Sequence, residues 1–307
     1  MHDTIARIIS CIEPRQFQPC FIGWMQTVNQ LTEGSLIAID GKTLRASYHR
    51  EERRSTIPMV SVFAIENKRV LGQQRTSSKS NEITAIPELL ALLDIRGCLI
   101  SIDAMGCQTK IARQRVEKDG DYLLAVKDNH PTLAKAVIQR LSESMAEKSK
   151  QEDVHFEYAH GRTEAREYHG LPAGKLTQQF PEWKGLKRIG VALGYRMDKS
   201  GKESLEYRYY ISSAALNKEQ FKQAIRSHWL IENSLHWVLD VTINEDTCRI
   251  YRENAAENIA YIRHIALNTL RKEKSQLSTR RKQKKTWMQV DYAVQVLEVG
   301  FEQVGKK

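Results

Sequence analysis

The sequence has no apolar run approaching the roughly 20 residues that span a bilayer, and its start, MHDTIARIIS, carries no signal-peptide pattern. No membrane-embedded role is expected, and a cytoplasmic location follows by default. Cysteine is also scarce: Cys11, Cys20, Cys98, Cys107 and Cys248 are odd in number and include no CxxC pair. That pattern fits reduced thiols and excludes a cysteine zinc cage or a disulfide framework. There is no G-x-x-x-x-G-K-[ST] loop; the GKT of IDGKTL lacks the upstream glycine, so nucleotide hydrolysis has no support. No glycine-flanked serine recommends Ser/His/Asp catalysis.

What is present is a soluble-type composition over 307 residues, 41% hydrophobic and 27% charged, enough for one large domain or a domain with an insertion. The formal charge of +10, with sequence pI near 9.3, favours a polyanionic partner. Charge alone fits a nucleic acid, a ribosomal partner or a membrane surface.

Apolar spacing over residues 3–31, interrupted at Pro14 and Pro19, predicts short helices. LIAIDGK (36–42) reads as a strand buried on both faces, with Asp40 at or near its carboxyl end. MVSVFAI (59–65) and residues 70–75 flank the polar turn ENKR, which predicts an antiparallel meander. A helix is expected around Ile86, Leu89, Leu90 and Leu93, with Ser80 or Asn81 as cap and Pro87 in an early turn. CLISID (98–103), a helix over 108–118 and YLLAV (122–126) then predict parallel crossovers. After a helix over 131–148, HGRTEAR (160–166) places His160, Arg162, Glu164 and Arg166 on one strand face. Further strands at 186–195 and 207–212 make residues 150–215 largely β. A helix over 255–271 is expected to turn Ile259, Ile262, Ile265, Ala266 and Leu270 inward. It leads into a basic run from Arg271 to Lys285 and a closing helix after Trp287.

The chemistry concentrates in acids. In NKEQFKQAIRSHWLIENSLHWVLD (217–240), helical spacing puts Phe221, Ile225, Leu235 and Leu239 on one inward stripe, with Glu232 in its middle. A carboxylate there must be paired, neutralised or bound to a cation, and an ion pair with Arg or Lys would serve as well as a metal. Asp40 and Asp103 each close an apolar strand, where functional groups collect in open α/β sheets; each is also an ordinary turn or cap residue. Three converging carboxylates would repel one another without cations, and oxygen-only ligands select Mg²⁺ or Mn²⁺. Two such ions roughly 4 Å apart support in-line phosphoryl displacement. His228 and His236 flank Glu232 in HxxxExxxH, which differs from the zinc-protease HExxH pattern; orienting Glu232 or contacting phosphate suits them better.

The segments IAIDGKTLR, KSNEITAIPELL, IDAMGCQ, GDYLLAVKDNH, HGRTEAR, RYYISSA and HWLIENSLHWVLDVTINED together resemble the H-repeat-associated transposases, an insertion-sequence family of the DDE superfamily. The resemblance covers essentially the whole chain. It implies an α/β fold, a ribonuclease H-like core of a mixed five-stranded sheet with flanking helices, plus a β-rich insertion before the last catalytic acid. The implied layout is a helical N-terminal segment (1–33), core (34–149), β-rich insertion (150–215), the acidic helix and the helix after it (216–270), and a basic C-terminal segment (271–307). Asp40, Asp103 and Glu232 are implied as the catalytic acids holding two Mg²⁺ or Mn²⁺ ions. The implied activity is cleavage of double-stranded DNA at terminal inverted repeats and strand transfer into target DNA, by a homodimer on DNA associated with the bacterial nucleoid. Lys42, Lys127, Asn129, His160 and Arg162 are expected DNA contacts. Related transposases carry a Tyr, Arg, Glu, Lys signature, but its non-Glu positions here hold Ile225, His228 and Leu239. Phosphate contacts are therefore expected from Arg226, His228, His236 or Arg249. Family members carry a longer N-terminal segment, and the chain is expected to begin inside it, which bears on end recognition. A stand-alone nuclease of the same fold and a DNA-binding remnant without activity are the alternatives.

Overall fold

The computed structural model describes residues 2–28, 31–45, 57–76, 82–147, 156–159, 161–250 and 252–302. The chain divides into two units, Met1–Ile95 with Trp229–Lys307, and Arg96–His228. Each combines helices with a sheet, so the class is α/β.

The first unit begins with α1 (His2–Cys11) and α2 (Pro14–Val28). Pro14 opens α2 at a position where its missing N–H costs nothing. Pro19, expected to break the helix, lies inside it and is exposed. Packing overrides the loss of about 3 kcal/mol that an internal proline costs: Phe17 and Phe21 both meet the Tyr261 ring, at 5.4 and 5.7 Å. The expected meander is present as β1 (Leu36–Leu44), β2 (Ile57–Ala64) and β3 (Arg69–Arg75), with antiparallel pairing throughout. Ile37, Ile39, Val62 and Phe63 are buried at its centre. α3 (Glu82–Leu92) follows; Pro87 is its sixth residue, beyond the first turn, and the expected caps Ser80 and Asn81 lie outside the described residues.

The second unit opens with β4 (Leu99–Ile102), α4 (Thr109–Glu117) and β5 (Asp121–Val126), with β4 and β5 parallel as expected of a strand–helix–strand crossover. Then come α5 (Pro131–Glu147), β6 (Phe156–Ala159), β7 (Arg162–Pro172), α6 (Leu176–Gln179), β8 (Arg188–Met197), β9 (Glu203–Ser212) and α7 (Lys218–His228). β6 to β9 pair antiparallel, and β9 also pairs with β5. The β-rich stretch therefore continues the sheet that β4 and β5 begin. α7 seats Phe221 against Gly190, where any Cβ would fall 2.2 Å from the ring.

The chain returns to the first unit through a π-turn (Glu232–His236), α8 (Trp237–Val241), α9 (Ala255–Lys272), α10 (Thr279–Met288) and α11 (Val290–Phe301). The inward face of α9 is not the expected one. Ile259, Ile262, Ile265 and Ala266 are only half-buried, while Asn258, Tyr261, His264 and Asn268 are buried beside Leu267 and Leu270. The reason is hydrogen bonding. Asn268 Oδ1 accepts from the Val70 N–H at 3.1 Å and its Nδ2 donates to the Val70 carbonyl at 2.9 Å, pairing the outer edge of β3 as another strand would. Tyr261 Oη donates to the Gln73 carbonyl at 3.0 Å, and Asn258 Nδ2 donates to the carbonyls of Ile9 and Ile12.

Candidate active site

Asp40 is the fifth of nine residues in β1, paired opposite Ser61, and not at the strand's carboxyl end as expected. The strand outlasts the acid because Gly41 to Leu44 keep their partners on β2. Side chains alternate along a strand, so Asp40 and Lys42 share one face and Gly41 turns to the other. There the Glu82 carboxylate lies so close that a Cβ on residue 41 would stand 2.5 Å from its oxygen. A side chain at residue 41 would have to displace that flexible carboxylate.

Glu232 departs further from expectation. α7 ends at His228, and the i→i−4 ladder widens into the π-turn, where the Trp237 N–H reaches back to the Glu232 carbonyl. With the phase shifted, Ile231, Leu235 and Leu239 are the buried positions and the Glu232 side chain is 52% exposed. Glu232 is therefore not the buried carboxylate that helical spacing predicts. Its carboxylate nevertheless has company: His236, one turn on and 6% exposed, places Nδ1 3.4 Å from Glu232 Oε2 and 3.6 Å from Asp40 Oδ2. One ligand atom from each of the three residues lies within 4.8 Å of the others. Asp40 Oδ1 accepts from the Gly41 N–H at 2.9 Å.

Behind this cluster Lys42 makes ion pairs with Asp240 and, at 2.8 Å, with the buried Glu245; Asp246 lies 4.0 Å away. Lys42 was expected to meet DNA, yet its ammonium is already engaged by these carboxylates, tying β1 to the segment that follows α8. His264 of α9 is buried, and burial, followed by the charges of His236, Lys42, Arg271 and Arg263, pushes its pKa down to about 3. It is a neutral imidazole. Sequence reasoning missed Asp240, Glu245 and His264; only the spacing of LDVTINED after Glu232 hinted at the first two.

In the second unit Asp103 stands immediately after β4, exposed, with Oδ1 accepting from the N–H groups of Met105 and Gly106 at 3.1 and 3.3 Å. Two expected DNA contacts are engaged by hydrogen bonds within their own unit. Asn129 Nδ2 donates to the Ala104 carbonyl at 2.7 Å in the loop after Asp103, and His228 Nδ1 lies 2.6 Å from Ser101 Oγ. Arg162 Nε pairs with Glu164 Oε1 at 2.5 Å, and Arg166 joins the other oxygen of the same carboxylate at 2.6 Å, so the expected shared face holds for these three. His160 lies outside the described residues. Lys127 and Arg226 are exposed in the second unit and Arg249 in the first.

Residues 31–269 match the family described as Transposase DDE domain. The chain belongs to that family. As a DDE transposase it is a phosphoryl-transfer enzyme, and its family implies a divalent metal and a DNA substrate. It is 47% identical over 97% of its length to "Putative transposase YncI" of Escherichia coli O157:H7, covering 79% of that protein. It is 46% identical to "H repeat-associated putative transposase YhhI" of Escherichia coli (strain K12), over 97% of this chain and 80% of that one. A cryo-EM structure of the piggyBac transposase synaptic complex with hairpin DNA aligns over 92% of this chain and 56% of that chain, at 14% identity and a TM-score of 0.42, too slight a likeness to define the fold.

The first-unit cluster fits the implied metal by its donors. Two carboxylates suit a hard divalent ion, and the imidazole, absent from the oxygen-only set expected, adds a nitrogen that Mn²⁺ accepts. His236 Nε2 is buried with no hydrogen-bond partner among the described residues, so the ring's contacts to the two acids run through Nδ1.

Proposed function

We propose that this transposase cleaves double-stranded DNA at the ends of an insertion sequence and joins those ends to target DNA, using Asp40, Asp103 and Glu232 as its acids. The observation that carries the reading is the meeting of Asp40 and Glu232, 192 positions apart in the chain, at one imidazole. A meander followed by a parallel strand–helix–strand crossover supports a ribonuclease H-like core.

Asp40, Glu232 and, by its motif, Asp103 would hold two Mg²⁺ or Mn²⁺ ions. When bound, such ions activate a water or 3′ hydroxyl and stabilise the leaving oxygen of an in-line displacement. The chain's own contribution is placement. β1 holds Asp40 rigidly, the π-turn presents Glu232 to solvent where a DNA strand can reach it, and His236 orients both carboxylates from the buried side. Asn129 holds the loop that follows Asp103. Exposed Lys127, Arg226 and Arg249, with Arg162, are the proposed phosphate contacts, and Lys42 is assigned to the ion-pair cross-link instead. The work is placed on bacterial DNA in the cytoplasm, by two copies acting on two element ends.

Incubation with labelled element ends, Mg²⁺ and a target plasmid tests this. Joined products are expected, and Asp103→Asn should abolish them while leaving DNA affinity largely intact. Cut but unjoined products indicate a nuclease only; a gel shift without chemistry, or full activity in Asp103→Asn, overturns the assignment.

A further inference from the structure

Arg271 lies in the last turn of α9 and begins the basic run that extends to Lys285. In the fold it is half-buried. Its guanidinium lies 5.7 Å from the centroid of the Phe63 ring and donates to two carbonyls, those of Lys68 after β2 and of Ser234 inside the π-turn. Among the described residues it pairs with no carboxylate. A desolvated cation without an anion is costly, so its partners matter more than its charge.

The Ser234 carbonyl is the informative one. A π-turn widens the helix and disturbs the i→i−4 ladder, so a carbonyl within it is open to a donor from outside. This turn is pinned at both ends by apolar burial, Ile231 before it and Leu235 and Leu239 within and after it. Glu232 is its first residue and points out of it toward Asp40 and His236.

We propose that Arg271 is a positioning residue for the third acid: by holding the Ser234 carbonyl, it keeps the π-turn open and so fixes the direction in which Glu232 presents its carboxylate. The proposal rests on the reading that Asp40 and Glu232 hold a divalent metal, and it gives part of the basic run a structural role. Lys282 of the same run is buried, 3.1 Å from Glu273 Oε2.

The test compares the full chain with Asp40→Asn, Arg271→Gln and Arg271→Lys, by Mn²⁺ titration followed by electron paramagnetic resonance and by amide hydrogen exchange without metal. Wild type should bind Mn²⁺ and Asp40→Asn should lose that binding. Arg271→Gln should weaken it about 10-fold or more, the scale seen when groups supporting a metal ligand are removed, at a temperature where melting shows it folded. Arg271→Lys, which keeps the charge and one donor direction, should fall between the two, and it carries the test should the glutamine variant not fold. Exchange at residues 232–237 should accelerate in Arg271→Gln. If wild type binds no Mn²⁺, the metal reading fails and the exchange arm alone decides the role of Arg271. Arg271 variants with wild-type Mn²⁺ affinity, or with unchanged exchange in the π-turn, overturn the proposal.

Discussion

Lys42 Nζ lies 2.8 Å from Glu245 Oε2, a contact between residues 203 positions apart whose side chains are 12% and 2% exposed. It sets Asp40, two residues earlier on the same strand face, against the segment downstream of Glu232. Removing one partner of a buried pair leaves the other charged and uncompensated. Lys42→Met should therefore destabilise the fold by about 3 kcal/mol in urea unfolding, and Lys42→Met with Glu245→Gln should recover part of that loss. In DNA binding, a phosphate contact would contribute about 0.9 to the slope of affinity against salt on logarithmic axes. Lys42→Met should leave that slope unchanged.

Asn268 serves both the N–H and the carbonyl of Val70 on the outer edge of the meander. Truncation leaves two buried backbone groups unsatisfied, at about 1–3 kcal/mol for each such group. Asn268→Ala should lower stability by about 3 kcal/mol, and Asn268→Leu, which restores volume but no polar atom, should not repair it. A stability change within 0.5 kcal/mol in either variant, the range of ordinary surface substitutions, would mean that α9 does not cover this edge as described.

His264 gives a pH dependence with a definite sign. Its folded pKa, held down to about 3 by burial and then by neighbouring positive charge, lies below the ordinary imidazole value of 6.5. The unfolded chain thus binds a proton that the folded chain refuses. The contribution is fully present above pH 6.5 and is lost as pH falls from there toward about 3, with a slope of up to about 1.4 kcal/mol per pH unit. His264→Gln should flatten the stability profile between pH 6 and pH 4, about the middle of that window; a profile as steep as wild type would place the acid sensitivity elsewhere.

The sequence made the repetitive parts of this fold legible. LIAIDGK, MVSVFAI, CLISID and YLLAV are short apolar runs of strand length, and Pro131 marks a helix start, where its missing N–H costs nothing. The parts that escaped depend on partners distant in the chain. The π-turn at Glu232 changes the phase of an otherwise regular helical pattern, and helical spacing alone assumes that phase constant. The inward side of α9 is polar because Asn258, Tyr261 and Asn268 find backbone groups of α1 and β3, which no hydrophobic pattern records. Asp40 and Glu232 do meet at His236, although the burial expected for Glu232 was not the reason they meet.

Diffraction from crystals grown with Mn²⁺ tests the proposed chemistry most directly, because the anomalous signal reports the ion and not its consequences. The expected result is a peak coordinated by carboxylate oxygens of Asp40, Glu232 and Asp103, absent in crystals of Asp40→Asn. Crystals with no such peak, or with Mn²⁺ held elsewhere while the Asp40 and Glu232 carboxylates point apart, would contradict it.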